Sequence, residues 1–387
     1  MALAGVASVL ALRSFVGNVY RVSTPSMRPT LDAGDGQSVL VAVRYGAPSP
    51  LERFGLCVFR QPGKSSSAVK RIGGLPGESI QISGGDLYIN GQQLPSDAPR
   101  PAELPVLDSE TERPEDLFHF KGVGCPGGGD GPWRAPQTAD EGYHLDALDL
   151  DVLDNTARMF LAPDVTTSGL AKSDRAPQWV QVGDLSAALD FRFLEAPTGA
   201  RALIELREAA DLFRASLERT EAGFVARLER SAAGEVAVEL ARVELDAGEV
   251  GVGESIELRF RNRDDHLELF VNGVPRLATT YSNNEPYPGE TPRGIQAVGP
   301  RLAVGGAGVV LEVERIRLAR DLHWAAGSRF GEFATSRSLQ LGPGEVFLLG
   351  DNTLDSIDSR FFGPVRLSDL TGRPVAVVWP PARWRQL

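Results

Sequence analysis

Ser26 is the first residue whose surroundings suggest chemistry. It lies between two prolines in the stretch STPSMRPTL, residues 23–31. A serine hydroxyl is a weak nucleophile at neutral pH and needs a base that takes its proton. Histidine is the usual base, but the four histidines, at positions 119, 144, 266 and 323, all lie outside residues 1–95 and 332–387. A base drawn from those two segments must therefore be another residue type.

Lysine can take this role when it is kept neutral, because burial disfavours the ammonium form and lowers its pKa. Lys64, in QPGKSSS, falls in a polar loop, whereas Lys70 lies in the strand-like run SAVKRIGGLPGE. On a strand, Lys70 shares a face with Ala68 and Ile72, while Arg71 points to the other face. Alternation alone leaves two readings open for Lys70, a buried base and a solvated lysine at a strand end.

Three blocks, in order, resemble the type I signal peptidases, the membrane-anchored Ser-Lys endopeptidases that remove secretory signal peptides. TPSMRPTL resembles the nucleophile box of this family, and VFRQP…VKRIGGLPGESIQI…LYINGQQL resembles its lysine box with the hairpin that follows. LLGDNTLDSIDSRFFGPV resembles its Gly-Asp-Asn box, including the Ser-x-Asp-Ser-Arg run. The resemblance covers about 130 residues, roughly 20–95 and 335–385.

The resemblance implies a role for each matching residue. Ser26 would be the nucleophile and Lys70 the general base, with the Ser26 N–H and the Thr24 hydroxyl as oxyanion donors. We expect the Lys70 amine to lie within hydrogen-bond reach of the Ser26 hydroxyl, at about 3 Å or somewhat farther in the absence of substrate. The residues implied to support the dyad are Ser356, which would orient the lysine amine, the pair Arg71 and Asp351, and the pair Asp358 and Arg360.

Each of these residues also has a plain structural interpretation. Thr24 or Ser26 can cap the local backbone, and Asp358 with Arg360 can form a surface pair that adds little stability. The chain also departs from the family pattern, because Pro25 replaces the small residue, often glycine, that usually precedes the nucleophile. Proline fixes φ and lacks an N–H, but the oxyanion hole would use the N–H of Ser26 itself.

The implied activity is acyl transfer, in which the substrate is a preprotein cut after small residues of the A-x-A type. The implied location is the bacterial cytoplasmic membrane, with membrane lipid as a partner and the catalytic domain on the extracytoplasmic side. We expect no cofactor and no metal, because neither the histidines nor the cysteines, Cys57 and Cys125, have ligand spacing. The net charge of −11 and the lack of a long basic run argue against nucleic acid.

The elements that must position these residues are short β-strands, since Gly (42) and Pro (27) are both abundant among the 387 residues. We predict a mainly β fold in which a signal-peptidase-type catalytic domain is split by an inserted β-sandwich, jelly-roll-like domain. The predicted segments are 1–21 (N-terminal), 22–99 and 331–387 (catalytic halves) and 100–330 (insert). Residues 96–115 are proline-rich and acidic, which predicts a linker or an extended surface segment.

The insert resembles laminin-G or concanavalin-like domains at low specificity. Ile256, Leu258 and Phe260 alternate with polar residues, and Asn272-Gly273 predicts a type I′ turn between two strands. The run 201–219 is ambiguous between helix and strand. A protein or carbohydrate ligand of the insert is left open, beside the simpler interpretation of a spacer or docking surface.

The N-terminus, MALAGVASVLAL, is apolar for twelve residues before Arg13. A full span needs about 20 apolar residues. We favour a short apolar helix that forms part of a membrane anchor over residues 1–21. The alternatives are a cleaved secretory signal and a start placed too far downstream.

Two other functions fit parts of the sequence. One is a membrane-tethered, lectin-like binding protein on an inactive protease scaffold, against which the retention of both Ser26 and Lys70 argues. The other is a self-cleaving Ser-Lys regulator of the repressor type. The acidic charge and the lack of a helix-turn-helix pattern before Ser26 argue against that.

Overall fold

The computed structural model divides the chain into two compact units. One unit comprises residues 1–102 and 322–387, and the other comprises residues 103–321. The structure describes residues 18–31, 33, 39–44, 51–83, 85–94, 103–109, 118–121, 132–134, 141–148, 157–161, 165–166, 169–170, 182–208, 211–232, 236–246, 248–281, 301–324, 326, 330–353 and 355–387. We call residues 1–102 with 322–387 the catalytic unit and residues 103–321 the insert.

The catalytic unit is built from twelve described strands and one short helix. The strands are β1 Asn18–Arg21, β2 Val39–Arg44, β3 Leu56–Arg60, β4 Ser67–Gly74, β5 Ser79–Ser83, β6 Asp86–Ile89, β7 Gln92–Gln93, and then, after the insert, β25 Leu339–Gln340, β26 Glu345–Leu349, β27 Val365–Arg366, β28 Leu370–Trp379 and β29 Arg385–Gln386. The helix is α1, Ser359–Phe362. Three 3₁₀ turns cover Pro25–Met27, Leu367–Asp369 and Pro381–Arg383.

Strands from both ends of the chain interleave in the larger sheet of this unit, whose order is β1-β2-β28-β3-β4-β26-β27 with β29 beside β28. A four-stranded sheet, β25-β5-β6-β7, completes the unit. Strand β4 lies between β3 and β26, and it is buried along its second half. Lys70 and Arg71 are therefore both buried, although alternation sends them to opposite faces of the sheet.

The insert contains β8 to β24. These strands are β8 Leu104–Asp108, β9 Phe118–Lys121, β10 Trp133–Arg134, β11 Tyr143–Asp146, β12 Ala157–Leu161, β13 Val165–Thr166, β14 Gly169–Leu170, β15 Leu185–Glu195, β16 Arg201–Glu208, β17 Asp211–Arg219, β18 Phe224–Ser231, β19 Val238–Glu244, β20 Ser255–Arg263, β21 His266–Val271, β22 Val274–Thr280, β23 Leu302–Ala307 and β24 Val310–Arg320.

The strands of the insert form two main antiparallel sheets around one apolar core. The first has the order β10-β11-β24-β15-β20-β21-β22 with β8 beside β24, and the second has the order β19-β18-β17-β16-β23-β12-β9. Phe191 and Phe260 from the first sheet share the core with Phe213 and Leu217 from the second. The mainly β prediction is confirmed, and β20 shows the alternation of buried and partly buried residues that is expected of a sandwich strand.

The ambiguous run 201–219 is two strands, β16 and β17, paired from Arg201↔Glu218 to Glu208↔Asp211. The turn prediction is confirmed, because Asn272 and Gly273 both have positive φ, 50° and 75°. The linker prediction is wrong for Leu104–Asp108, which pairs with β24 as β8. Its leucines, Leu104 and Leu107, are buried, and this burial outweighs the proline between them.

Residues 1–17 of the predicted N-terminal segment lie outside the described residues. Residues 18–21 form strand β1, so a helix over the whole of 1–21 is wrong for these four residues. Within the ranges that the structure describes, no helix has the length and hydropathy needed to cross a bilayer.

Candidate active site

Ser26 lies at the centre of the 3₁₀ turn Pro25–Met27 and is only 8% exposed. Pro25 occupies the first position of the turn, where a missing N–H costs no hydrogen bond and the fixed φ suits the geometry. As the second residue of the turn, Ser26 has an N–H with no acceptor inside the turn. Met27 and Leu31 are buried beside Leu56 and anchor this turn to the core.

The hydroxyl of Ser26 lies 3.2 Å from the hydroxyl of Thr24. Thr24 precedes the turn in extended conformation, with φ −131° and ψ 152°, and its side chain does not cap the turn. The plain interpretation of Thr24 as a backbone cap is therefore wrong. Its Oγ1 is directed to Ser26 Oγ instead, so that two hydroxyls and the Ser26 N–H lie close to one another.

Asn352 holds the backbone of the serine turn, Pro25–Met27, through two hydrogen bonds. Its N–H donates to the carbonyl of Ser26 at 3.2 Å, and its side-chain amide donates to the carbonyl of Pro25 at 3.1 Å. Sequence reasoning did not assign a role to Asn352, although the Gly-Asp-Asn box contained it. The box thus ties the serine turn to the C-terminal half of the catalytic unit.

Lys70 lies on β4, directly opposite Cys57 on β3, and is 3% exposed. Its Nζ donates to Ser356 Oγ at 2.9 Å. Within the described residues, no hydrogen bond joins Lys70 Nζ to Ser26 Oγ, and the expected close approach of these two atoms stays a prediction. The amine of Lys70 donates to Ser356, and the hydroxyls of Ser26 and Thr24 lie within hydrogen-bond distance of each other.

Ser26 and Ser356, the hydrogen-bond partner of Lys70, lie close together around Gly350. Gly350 shows this most directly, because a Cβ at that position would lie 2.1 Å from Ser356 Oγ and 2.6 Å from the Ser26 carbonyl oxygen. Only glycine fits there, since any side chain would displace one of the two serines.

Burial lowers the pKa of the Lys70 ammonium from 10.5 to about 8. The carboxylates of Asp358 and Asp351 oppose this shift, and the guanidinium of Arg360 adds to it. Burial also raises the pKa of the Cys57 thiol to about 12, so that this thiol stays protonated at neutral pH. The site therefore offers a lysine that is partly neutral near pH 8 and no competing thiolate.

Arg71 and Asp351 form a buried bidentate pair. The Nε and Nη2 atoms of Arg71 donate to the two carboxylate oxygens at 2.7 and 2.6 Å. Nη1 of Arg71 donates to the carbonyl of Phe54 at 2.6 Å, and the Thr30 hydroxyl donates to Asp351. This pair joins β4 to the loop that follows β26, next to Gly350.

Asp358 and Arg360 form a second buried pair, and both side chains are fully buried. Nε and Nη2 of Arg360 each donate to a carboxylate oxygen of Asp358 at 2.9 Å, and Arg360 also bonds Thr353. Asp358 accepts the N–H of Gly350 at 2.9 Å and caps α1. A surface pair is therefore the wrong interpretation of these two residues. Each of the two carboxylates, of Asp351 and Asp358, is thus paired with an arginine.

Trp324 is a second residue that sequence reasoning missed, because position 324 fell inside the predicted insert. Its indole Nε1 donates to the carbonyl of Gly350 at 3.0 Å. Its ring stacks on Phe54 with centroids 6.1 Å apart and planes 4° apart. No sequence signal marks Trp324, because it contacts the site from outside the three recognised blocks.

The model of the family described as signal peptidase, peptidase S26, matches residues 1–128 and 267–379, well over half of the chain. The chain belongs to this family. Because the match is in two segments, a member of the signal peptidase family with an insertion is the arrangement expected.

Relatives named signal peptidase I share sequence with this family member. The protein of Bacillus caldolyticus is 36% identical over 103 residues, which is 27% of this chain and 55% of the relative. The protein of Leptolyngbya laminosa is 35% identical over 100 residues, 23% of this chain and 48% of the relative. The chain thus spans about half the length of the curated relatives it matches.

Among solved structures, the carbohydrate-binding module CBM66 from Bacillus subtilis is similar to the chain with a TM-score of 0.34 and 8% identity. The similarity covers 53% of this chain and 97% of that module.

Proposed function

We propose that this member of the signal peptidase family is a serine endopeptidase that removes signal peptides from secreted preproteins by means of a Ser26–Lys70 dyad. The observation that carries the proposal is Lys70, a lysine that is 3% exposed and whose burial lowers its pKa to about 8. A surface lysine remains charged at neutral pH and cannot accept a proton. Lys70 is held in the same cluster as the buried Ser26.

In the proposed reaction, neutral Lys70 takes the proton of Ser26 as Oγ attacks the scissile carbonyl carbon. The tetrahedral intermediate collapses, the peptide C–N bond breaks, and the lysine ammonium protonates the leaving amine. Water then attacks the acyl-serine, again with Lys70 as base, and releases the signal peptide as a free acid. This sequence of steps requires Ser26 Oγ to lie within hydrogen-bond reach of Lys70 Nζ when the substrate is bound.

The developing oxyanion would be held by two donors, the N–H of Ser26 and the hydroxyl of Thr24. The first is supported by the position of Ser26 in the 3₁₀ turn, which leaves its N–H without an acceptor in the turn. The second is supported by the 3.2 Å separation between the two hydroxyls. Donors fixed before the reaction stabilise the transition state more than groups that must reorganise.

Ser356, Arg71, Asp351, Asp358 and Arg360 would keep the dyad in place. Ser356 orients the amine of Lys70, and the two arginine–carboxylate pairs fix the loop that carries Gly350. We further propose that the substrate adds as an extended strand and is cut after small residues. The protein would be anchored in the bacterial cytoplasmic membrane and would act on its extracytoplasmic side, in contact with lipid.

Cleavage of a preprotein tests this function. Wild-type protein, Ser26→Ala and Lys70→Ala are incubated with a purified secretory preprotein, and the new N-terminus is identified by mass spectrometry. We expect cleavage after an A-x-A sequence by the wild type and loss of at least about 10³-fold in rate in either variant. Equal rates in all three proteins, or no cleavage by the wild type, would leave the lectin-like alternative as the better explanation.

A further inference from the structure

We propose that Trp324 is a positioning residue of this active site, because its indole N–H holds the carbonyl of Gly350 and thereby fixes the Lys70–Ser356 hydrogen bond. The inference rests on the proposed function for its kinetic consequence, but its structural part can be measured without any cleavage. Trp324 follows Asp321, the last residue of the insert, by three positions. The segment that returns the chain from the insert to the catalytic unit thus supplies it.

Gly350 is held at both ends of the residue. Its N–H donates to Asp358 Oδ2 at 2.9 Å, and its carbonyl accepts the Trp324 indole N–H at 3.0 Å. The space beside its Cα contains Ser356 Oγ and the Ser26 carbonyl, at distances that leave no room for a Cβ. A small displacement of Gly350 would therefore move Ser356 relative to Lys70.

Trp324 is itself held in place by burial, ring stacking and a backbone hydrogen bond. Its side chain is 2% exposed, its ring stacks on Phe54, and its backbone N–H donates to the carbonyl of Gly85 at 2.9 Å. The carbonyl of Phe54 accepts a hydrogen bond from Arg71, which pairs with Asp351, the neighbour of Gly350. The indole therefore closes a ring of contacts around the loop that carries Gly350.

Loss of the indole N–H leaves a buried carbonyl without this donor, which favours displacement of Gly350 toward water. Water near Lys70 would reduce the burial that keeps its amine neutral. The charged and titratable groups that act on Lys70 are Cys57 on β3, Asp351, Asp358 and Arg360. None of these is altered by a substitution at position 324, so a change in the titration of Lys70 would report its hydration and geometry.

The test is Trp324→Phe, which keeps an aromatic ring against Phe54 and removes the donor. We expect the midpoint of Lys70 titration, followed through the ¹³Cε shift of labelled lysine and assigned with Lys70→Arg, to rise by about one pH unit. With a preprotein substrate, we expect kcat to fall about fivefold at pH 8 and KM to stay within about twofold, since Trp324 would act through Gly350 and not on the substrate. The acid limb of the plot of kcat against pH should shift to higher pH by the same amount as the titration midpoint of Lys70.

The matched control is Trp133→Phe, the same substitution at a buried tryptophan in the core of the insert. It should leave both the Lys70 titration and kcat unchanged, although it too alters a packed ring. If Trp324→Phe fails to fold, benzothienylalanine is introduced at position 324, since it keeps the shape of the indole and has sulfur in place of the N–H.

The outcomes separate the two proposals. An unchanged Lys70 titration in the folded Trp324 variant, or an equal change in Trp133→Phe, overturns the positioning role of Trp324. A raised titration midpoint confined to the Trp324 variant supports it, even if the wild type cleaves no preprotein. Failure of cleavage by the wild type counts against the proposed function alone.

Discussion

Lys70 Nζ and Ser356 Oγ are joined by a buried hydrogen bond of 2.9 Å, although the two residues are 286 positions apart in the chain. In chain order, the bond connects β4, which precedes the insert, to the loop after β26, which follows the insert. The same loop supplies Asp351 to Arg71 and Asn352 to the serine turn. Three connections therefore join the halves of the split catalytic unit at the candidate site.

Activity should depend on pH through Lys70. Because burial lowers the pKa of this amine to about 8, about a tenth of it is neutral at pH 7. We expect kcat/KM to rise about tenfold per pH unit below pH 8 and to level off above it. Initial rates on a preprotein or a signal-peptide substrate between pH 6 and 10 measure this profile. A midpoint near 10.5, the ordinary value for lysine, would mean that the base is solvated.

Stability should depend on pH through the same group. The folded-state pKa of Lys70, about 8, is below its unfolded value of 10.5, so between these values the unfolded chain binds more protons. The free energy of unfolding therefore rises with pH in this window, and the cost of the buried charge is complete below pH 8. At about 1.4 kcal/mol per pH unit, that cost amounts to about 3 kcal/mol.

Lys70→Met removes this cost and the hydrogen bond to Ser356, which contributes about 1 kcal/mol. We expect the variant to be about 2 kcal/mol more stable than the wild type at pH 7, with a gain that shrinks as pH rises from 8 to 10.5. Urea unfolding at several pH values measures the difference. Lys64→Met, at an exposed loop position, is the control and should change the unfolding free energy little. A Lys70→Met gain that does not vary with pH would contradict the assignment.

Much of the fold could be predicted from sequence because its signals are local. Alternating residues such as Ile256 and Leu258 mark strands, and Asn272-Gly273 marks a turn, since each pattern depends on neighbours in the chain. The ambiguity of residues 201–219 was different. Ala, Leu, Glu and Arg favour helix in isolation, and only pairing with β23 and β18 makes these residues strands.

The candidate site was predictable in its residues but not in its geometry. The recognised blocks supplied Ser26, Lys70 and Ser356, yet nothing local shows that Ser26 Oγ lies 3.2 Å from the Thr24 hydroxyl. The roles of Asn352 and Trp324 depend on backbone carbonyls as partners, which no side-chain pattern reveals. Contacts of this kind require the folded chain.

The buried pair of Asp358 and Arg360 should contribute far more stability than an exposed pair. Arg360→Met leaves a fully buried carboxylate without its main partner and should cost about 3–5 kcal/mol. Arg60→Met is the control, because Arg60 pairs with Asp369 at 3.3 Å and the two side chains are 62% and 38% exposed. That variant should cost less than about 1 kcal/mol. Urea unfolding at pH 7 compares them, and equal losses would contradict a structural role specific to the buried pair.

The insert should fold without the catalytic unit. Among the described residues, its core cluster comes from positions between Leu107 and Leu318, and its two main sheets consist of β8–β12 and β15–β24. A fragment of residues 103–321 is therefore expected to unfold cooperatively in urea, with dispersed amide resonances beforehand. A fragment without a cooperative transition would show that the insert depends on the rest of the chain for its fold.

Substitutions at Thr24 distinguish directly between a catalytic and a structural role of its hydroxyl. Thr24→Val keeps the branched shape and removes the hydroxyl that lies 3.2 Å from Ser26 Oγ. If that hydroxyl is an oxyanion donor, kcat should fall about 10²–10³-fold while KM changes little, because the donor acts mainly on the transition state.

Thr24→Ser keeps the donor and should retain activity within about threefold. A kcat close to the wild-type value in both variants would assign oxyanion stabilisation to the Ser26 N–H without Thr24. An equal loss in both would show that the hydroxyl alone does not account for the effect, because valine keeps the methyl group and serine keeps the hydroxyl. Since Thr24 is exposed and does not cap the turn, neither variant should alter the unfolding free energy by more than about 0.5 kcal/mol. The kinetic difference between them therefore measures the hydroxyl itself.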